Sequence, residues 1–188
     1  GPILESVQSP PDLESLPLLQ LWPEDGGHFI TLPLVFTQSP VDGKPNLGMY
    51  RIQRYDRERA GMHWQIGKGG GFHYFEAEQK GVPLPATVFL GGPPALIISA
   101  IAPLPEGIPE ILLSSLIAGK RIRTVADPKD VSRVLFAEAE FAIVGNVPPF
   151  ERRPEGPFGD HYGYYSLVHE YPVFYAERIY HRKDAIYP

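Results

Sequence analysis

Gly48-Met49-Tyr50-Arg51-Ile52-Gln53-Arg54-Tyr55 is the stretch on which the fold turns. Met49, Arg51, Gln53 and Tyr55 alternate with Tyr50, Ile52 and Arg54, the period of two expected of a half-buried strand. Runs of the same kind lie on either side. Residues 29–37 are apolar and β-branched, 61–66 read as a third strand and 86–90 as a fourth, and 137–144 and 173–182 as later ones. Two short helices interrupt them. Residues 94–100 follow a Gly-Gly-Pro-Pro turn, and 109–117 carry Pro at the start, Glu110 in the first turn and Gly119 just past the end. The pattern predicts a mainly β, α+β domain, barrel-like, with a few short peripheral helices. The 22 prolines and 19 glycines suit its many tight connections. Residues 1–28, with Pro10-Pro11, Pro17 and Pro23, read as an extended Pro-rich arm, and residues 29–188 as the domain proper. The run Arg182-Lys183-Asp184-Ala185-Ile186-Tyr187-Pro188 carries no polar tail, which reads as one part of a longer multidomain chain.

Composition narrows the function. With 188 residues, 43% of them hydrophobic, the chain is long enough for a real core. A net charge of −5 argues against binding nucleic acid through phosphate neutralisation. The absence of cysteine excludes disulfides, iron–sulfur clusters and thiolate catalysis, and fits a cytoplasmic protein. No apolar run approaches the ~20 residues of a membrane span.

The chemistry concentrates in Pro154-Glu155-Gly156-Pro157-Phe158-Gly159-Asp160. Two carboxylates stand five residues apart in a stretch too rich in Pro and Gly for a helix, which predicts both on one irregular loop. With Arg51 they form a candidate acid–base cluster: the cation lowers a carboxyl's pKa, and a second acid or an apolar wall raises it. A structural ion pair pinning the loop is the plainer alternative. Asn46, His63 and Glu110 make a mixed O/N donor set suited to Mn²⁺ or Mg²⁺, although taken singly they read as a turn residue, a half-buried side chain and a helix-start acid. Gly67-Lys68-Gly69-Gly70-Gly71 would bring backbone N–H groups and a Lys to a phosphate, but it lacks the ending of a Walker loop and reads first as a hairpin turn.

Six segments taken in order resemble the UbiD-type family of prenylated-FMN-dependent (de)carboxylases. They are Trp22-Pro23-Glu24-Asp25, Asn46-Leu47-Gly48-Met49-Tyr50-Arg51, Gly61-Met62-His63-Trp64, Lys68-Gly69-Gly70, Pro154 to Asp160, and Arg182 to Tyr187. The resemblance is to the family's central, cofactor-binding part and implies an FMN-binding split β-barrel. It implies that Arg51, Glu155 and Asp160 are the catalytic set, with Glu155 delivering a proton as CO₂ leaves an aromatic or α,β-unsaturated acid. A hydroxybenzoate of ubiquinone or menaquinone biosynthesis is one such acid. The resemblance also implies cofactor contacts from Asn46, Met49, Tyr50, Arg51, His63, Trp64, Gln65, Lys68 and Gly69. A divalent ion, Mn²⁺ or Mg²⁺, would be held by Asn46, His63 and Glu110, and K⁺ or Na⁺ by backbone carbonyls of Ser99, Ala100 and Ala102. A flavin prenyltransferase would supply the cofactor, and the full-length protein would be a homo-oligomer. Two stretches depart from the family pattern: Ile122-Arg123-Thr124-Val125-Ala126-Asp127, and Val144 before Gly145. A non-catalytic flavin-binding or assembly subunit of the same fold is the rival reading, and the retention of two acids beside an Arg argues against it.

Overall fold

The structure is a computed structural model that describes residues 1–65, 67, 69–105 and 107–188. Its strands are β1 (Ser6–Gln8), β2 (Phe29–Ile30), β3 (Leu34–Gln38), β4 (Pro45–Met49), β5 (Ile52–Arg54), β6 (Arg59–Met62), β7 (Leu84–Leu90), β8 (Thr124–Asp127), β9 (Asp130–Phe136), β10 (Phe141–Val147), β11 (Arg152–Glu155) and β12 (His169–His181). The helices are α1 (Gly69–Lys80), α2 (Pro94–Ala100) and α3 (Glu110–Ala118). The main sheet runs β2-β5-β6-β12-β10-β7-β3-β4 and is antiparallel throughout; β1 and β11 also pair with the long β12, and β8 and β9 form a separate hairpin.

The 48–55 run is two strands, not one. It breaks at Tyr50-Arg51, and the reason is topological. β4 is one edge of the sheet and β5 lies next to the other edge, six strand spacings away along the path. Laid flat, those spacings would separate the two strands by about 29 Å. The chain crosses from Met49 to Ile52 in three residue steps, at most about 11 Å. The sheet therefore curls into an incompletely closed half-barrel, and Tyr50-Arg51 bridges its split. The 29–37 run breaks similarly into β2 and β3, and the 61–66 run ends as β6 at Met62. The strand expected over 137–144 starts at Phe141 and runs on to Val147.

Both faces of the central strands are covered. Val35, Val88, Leu90, Ile143 and Ile179 enter one core with Trp64, Tyr74 and Ala77. The alternate residues Leu34, Phe36, Phe89, Ala142, Val144 and Tyr180 enter a second core with Leu96, Leu135 and Phe136. Two-sided burial explains why these strands read as continuous apolar runs. Residues 1–28 contribute to both cores: Leu13, Leu16 and Leu18 join the first and Ile3 the second, while β1 pairs with β12.

α2 spans the expected residues. α3 has Pro109 as its N-cap and Gly119 in the left-handed region (φ 63°) as its C-cap. The hairpin turn expected at 67–71 is corrected: Gly69, Gly70 and Gly71 open α1. Gly is a weak helix former, but a Cβ at Gly69 would collide with Asn46 Oδ1, and one at Gly70 would stand 2.6 Å from Trp64 Nε1. Close packing of the helix start against β4 and Trp64 outweighs local propensity.

Candidate active site

Arg51 owes its position to the barrel split. Residues 50–51 belong to no strand, so the Arg51 side chain is free to turn into the gap that its backbone crosses. It meets Glu155, the last residue of β11, which pairs there with His169 of β12. The acid is thus seated on a strand end, and not on the irregular loop that Pro and Gly suggest. Arg51 Nε donates to Glu155 Oε1 at 2.8 Å and Nη2 to Oε2 at 3.0 Å, a bidentate fork. His63 Nδ1 lies 3.1 Å from the same Oε2, and its Nε2 lies 3.5 Å from Tyr171 Oη, with the two rings 4.2 Å apart. Phe158 places its ring 4.7 Å from the guanidinium carbon, within cation–π reach, and leans edge-on against Phe29.

Glu155 is fully buried. Burial alone would push its carboxyl upward, but the bonds from His63 and Arg51 together outweigh that and hold it below the ordinary carboxylate range. It rests as a carboxylate. Burial and the charge of Glu155 also push the Tyr171 phenol upward.

The acidic loop is clamped mostly by residues outside the expected catalytic set. Gln53 is buried in β5 and uses both ends of its amide: Nε2 donates to Gly26 O at 2.8 Å, and Oε1 accepts from Gly156 N at 2.7 Å. Asp25 accepts from Gly159 N at 2.7 Å and from Trp22 N at 2.9 Å. Gly26 N donates to Pro157 O at 2.8 Å, and a Cβ on Gly26 would collide with Gly156 O. Ser166 Oγ accepts from Phe158 N at 3.0 Å and from Arg51 Nη2 at 3.2 Å. Trp22 and Asp25 carry a sequence signal through the resemblance. Gln53 carries one only as a polar residue inside a strand, and Ser166 carries none.

Asp160 departs from the expected cluster. Its carboxylate accepts from Tyr162 N at 2.9 Å and from Tyr164 N at 3.1 Å, bracing its own turn, and it bonds to neither Arg51 nor Glu155. Asx-type bonding of this kind is the normal local use of Asp before a turn.

A second locus gathers Asn46, Tyr50, Trp64 and the start of α1. Gly70 N donates to Tyr50 Oη at 3.2 Å, and Asn46 Nδ2 lies 3.4 Å from that oxygen. Trp64 Nε1 is buried without a hydrogen-bond partner among the described residues. An unused indole N–H beside a glycine-built helix start fits a large polar, anionic group such as a flavin phosphate. Glu110 Oε2 accepts from Leu47 N at 3.0 Å, which brings that acid beside Asn46 on β4. Two oxygen donors so placed suit a hard divalent ion. His63, the implied third ligand, faces Glu155 and Tyr171 instead. Among the described residues no three His, Cys, Asp or Glu side chains converge. Met49 ends β4 and packs partly buried on the second core, while Gln65 is exposed. Lys68 lies outside the described residues. Ser99 and Ala100 close α2 and Ala102 follows it; Ser99 O accepts from Ala102 N, and Ala102 O from Leu104 N. Among the described residues no helix is long and apolar enough to cross a membrane.

Comparison with known proteins agrees with this geometry. Residues 1–188 match the family described as UbiD, 3-octaprenyl-4-hydroxybenzoate carboxy-lyase Rift-related domain. A Chlamydia pneumoniae protein, named as one of the subunits of a 4-hydroxybenzoate decarboxylase, is 55% identical over 177 residues, 94% of this chain and 30% of its own length. The closed form of vanillic acid decarboxylase from Sedimentibacter hydroxybenzoicus superimposes with TM-score 0.93 at 30% identity, covering 99% of this chain and 40% of that one. An evolved dimeric form of the UbiD-class enzyme HmfF from Pelotomaculum thermopropionicum, solved with prFMN, superimposes with TM-score 0.92 at 27% identity, covering 99% and 44%. The chain spans about a third of the length of the curated relatives it matches.

Proposed function

We propose, from the premise that this chain belongs to the UbiD carboxy-lyase family, that it is the cofactor-binding and catalytic part of a non-oxidative decarboxylase acting on an aromatic or α,β-unsaturated carboxylic acid. The observation that carries the reading is Glu155: a fully buried carboxylate, forked by Arg51 and touched by His63, at the split of the barrel.

Prenylated FMN, when bound, would supply an electron-accepting ring for the charge left as the carbon–carbon bond breaks. Asn46, Tyr50, Trp64 and the glycine start of α1 would hold it, with Asn46 and Glu110 as oxygen ligands to a divalent ion, Mn²⁺ or Mg²⁺. His63 joins that ligand set only by leaving Glu155 or Tyr171. A monovalent ion at the Ser99–Ala102 carbonyls, cofactor supply by a flavin prenyltransferase, and assembly of the full-length protein into a homo-oligomer belong to the same proposal.

The protein's own part is charge and proton handling. Three of the five N–H groups of Arg51 are used, two by Glu155 and one by Ser166, which leaves both hydrogens of Nη1 for a substrate carboxylate. That incoming negative charge stands close to Glu155, so it raises the acid's proton affinity and offsets what Arg51 lowers. Glu155 takes one proton from solvent as the substrate binds. It gives that proton to the carbon that loses CO₂, and returns to the carboxylate state seen here. Asp160 serves this site from its turn by shaping the loop. The test is to mix the purified protein with prenylated FMN and Mn²⁺, desalt, and measure flavin retention and decarboxylation of hydroxybenzoates. Retention lost in Asn46→Ala, with turnover lost but flavin kept in Glu155→Gln, is the expected result. Full turnover in Glu155→Gln would refute the assignment.

A further inference from the structure

Ser166 is the one residue in 161–170 that is not exposed to solvent. Its neighbours His161 to Tyr165 and Leu167 to Glu170 all face outward, so a single side chain of this segment turns into the site. What it does there follows from counting donors and acceptors. A serine hydroxyl has two acceptor lone pairs and one proton. Both lone pairs are taken, one by Phe158 N at 3.0 Å and one by Arg51 Nη2 at 3.2 Å. Both of those donors are obligate: a backbone amide and a guanidinium cannot reverse their roles. The hydroxyl proton must therefore point away from both, and no described residue accepts it.

The neighbouring guanidinium has the same asymmetry. Its Nε and Nη2 are spent on Glu155 and Ser166, and Phe158 covers one face. A carboxylate thus cannot take the usual two-nitrogen fork from Arg51 without evicting Glu155 or Ser166. It can take Nη1 with one oxygen and needs a second donor for the other. We propose that Ser166 Oγ–H is that second donor, so that the substrate carboxylate is bound between Arg51 Nη1 and the Ser166 hydroxyl. Ser166 is then a substrate-binding residue that also ties the acidic loop to Arg51. The inference rests on the carboxylate-binding reading of this site and deepens it. It accounts for how Arg51 serves substrate and Glu155 together: a separate hydroxyl makes up the bidentate contact, and the proton donor is not displaced.

The test is binding, measured without turnover. Benzoate and its neutral analogue benzamide are titrated into the purified protein by calorimetry, for the wild type and for Arg51→Ala, Ser166→Ala, Ser166→Thr and Ser166→Cys. Ser166→Ala is expected to weaken benzoate about tenfold, the scale of one hydrogen bond to a charged group, and to leave benzamide within about twofold. Ser166→Thr keeps the hydroxyl and restores benzoate binding. Should Ser166→Ala fold poorly, Ser166→Cys keeps the shape with a weak donor and is expected to lose benzoate affinity in the same way. Benzoate binding that falls in Arg51→Ala but is unchanged in Ser166→Ala and Ser166→Cys overturns the assignment and leaves the decarboxylase reading standing. Equal benzoate binding in wild type and Arg51→Ala overturns the carboxylate site itself, and Ser166 with it.

Discussion

Among the described residues, two buried carboxylates are each gripped by two nitrogens of an arginine, and they are built differently. Asp127, at the end of β8, accepts from Arg178 Nε and Nη2 at 3.0 and 2.6 Å on one oxygen, and from Tyr180 Oη and Lys129 N at 2.6 and 2.8 Å on the other. The remaining nitrogen of Arg178 is taken by Glu177 at 3.0 Å. Every nitrogen and oxygen of that pair is engaged, and the cluster ties the β8–β9 hairpin to β12. Glu155 shares Arg51 with Ser166 and leans on a histidine, while Nη1 of Arg51 has no acceptor among the described residues. The first pair is closed and structural. The second is open at one nitrogen and shares its acid with a histidine. An Arg–carboxylate pair is thus read as functional from what it leaves unused, since burial and contact with two arginine nitrogens are common to both.

The comparison breaks most readily by exchanging the consequences of the two acids. Glu155→Gln is expected to lower decarboxylation by about 10³-fold, within the range of general acid catalysis, at a smaller stability cost than Asp127→Ala, because Gln keeps an acceptor oxygen for Arg51. Steady-state turnover beside a thermal melt checks it. A large stability loss with turnover intact would make Glu155 the structural member.

Asp127→Ala is the converse. Removing one partner of a buried pair costs about 3–5 kcal/mol, and the lower end is expected because Arg178 keeps Glu177. Urea unfolding should show about 3 kcal/mol lost, with flavin retention in the folded fraction unchanged. Gln53→Ala should fall between the two. It removes a buried amide that holds Gly26 O and Gly156 N, so about 1–2 kcal/mol of stability is expected to go along with a measurable loss of turnover, since Glu155 is the neighbour of Gly156.

The two pairs also differ in how legible they are in the sequence. Strand alternation locates most of the sheet, and Pro109 with Gly119 marks both ends of α3, because these signals are local. The break at Tyr50-Arg51 is invisible there, since alternation continues through it; only the curl of the sheet, a property of many strands together, makes the chain cross a gap at that point. α1 escapes the reading because three glycines speak against a helix locally, and the contacts that require them, with Asn46 and Trp64, are tertiary. Arg51 and Glu155 are 104 residues apart, so their pairing is readable only through family resemblance. Asp160 looks like a partner by spacing, yet a short Asp beside a turn finds its own backbone first. Ser166 lies in no motif, because its role depends on which lone pairs its neighbours occupy.

Acid sensitivity sharpens the comparison with the smallest effect. Both carboxyls are held below their ordinary values of 4.5 for Glu155 and 3.8 for Asp127. For each, burial pushes upward and is outweighed, by His63 and Arg51 in one case and by Arg178 and Tyr180 in the other. A depressed folded pKa contributes stability that is present above the unfolded value and lost as pH falls through the folded one. Between the unfolded and the folded values, each acid therefore steepens the loss of stability by at most about 1.4 kcal/mol per pH unit. Glu155→Gln should make the acid limb of a urea-midpoint-against-pH curve shallower, starting near pH 4.5, and Asp127→Asn should do so only from lower pH. Because benzoate adds negative charge beside Glu155, saturating benzoate should raise the folded pKa at which the Glu155 limb ends, so that the limb narrows towards pH 4.5, and leave the Asp127 limb in place. If ligand shifts both limbs equally, the open pair is coupled to the closed one, and the distinction between a poised acid and a structural one fails.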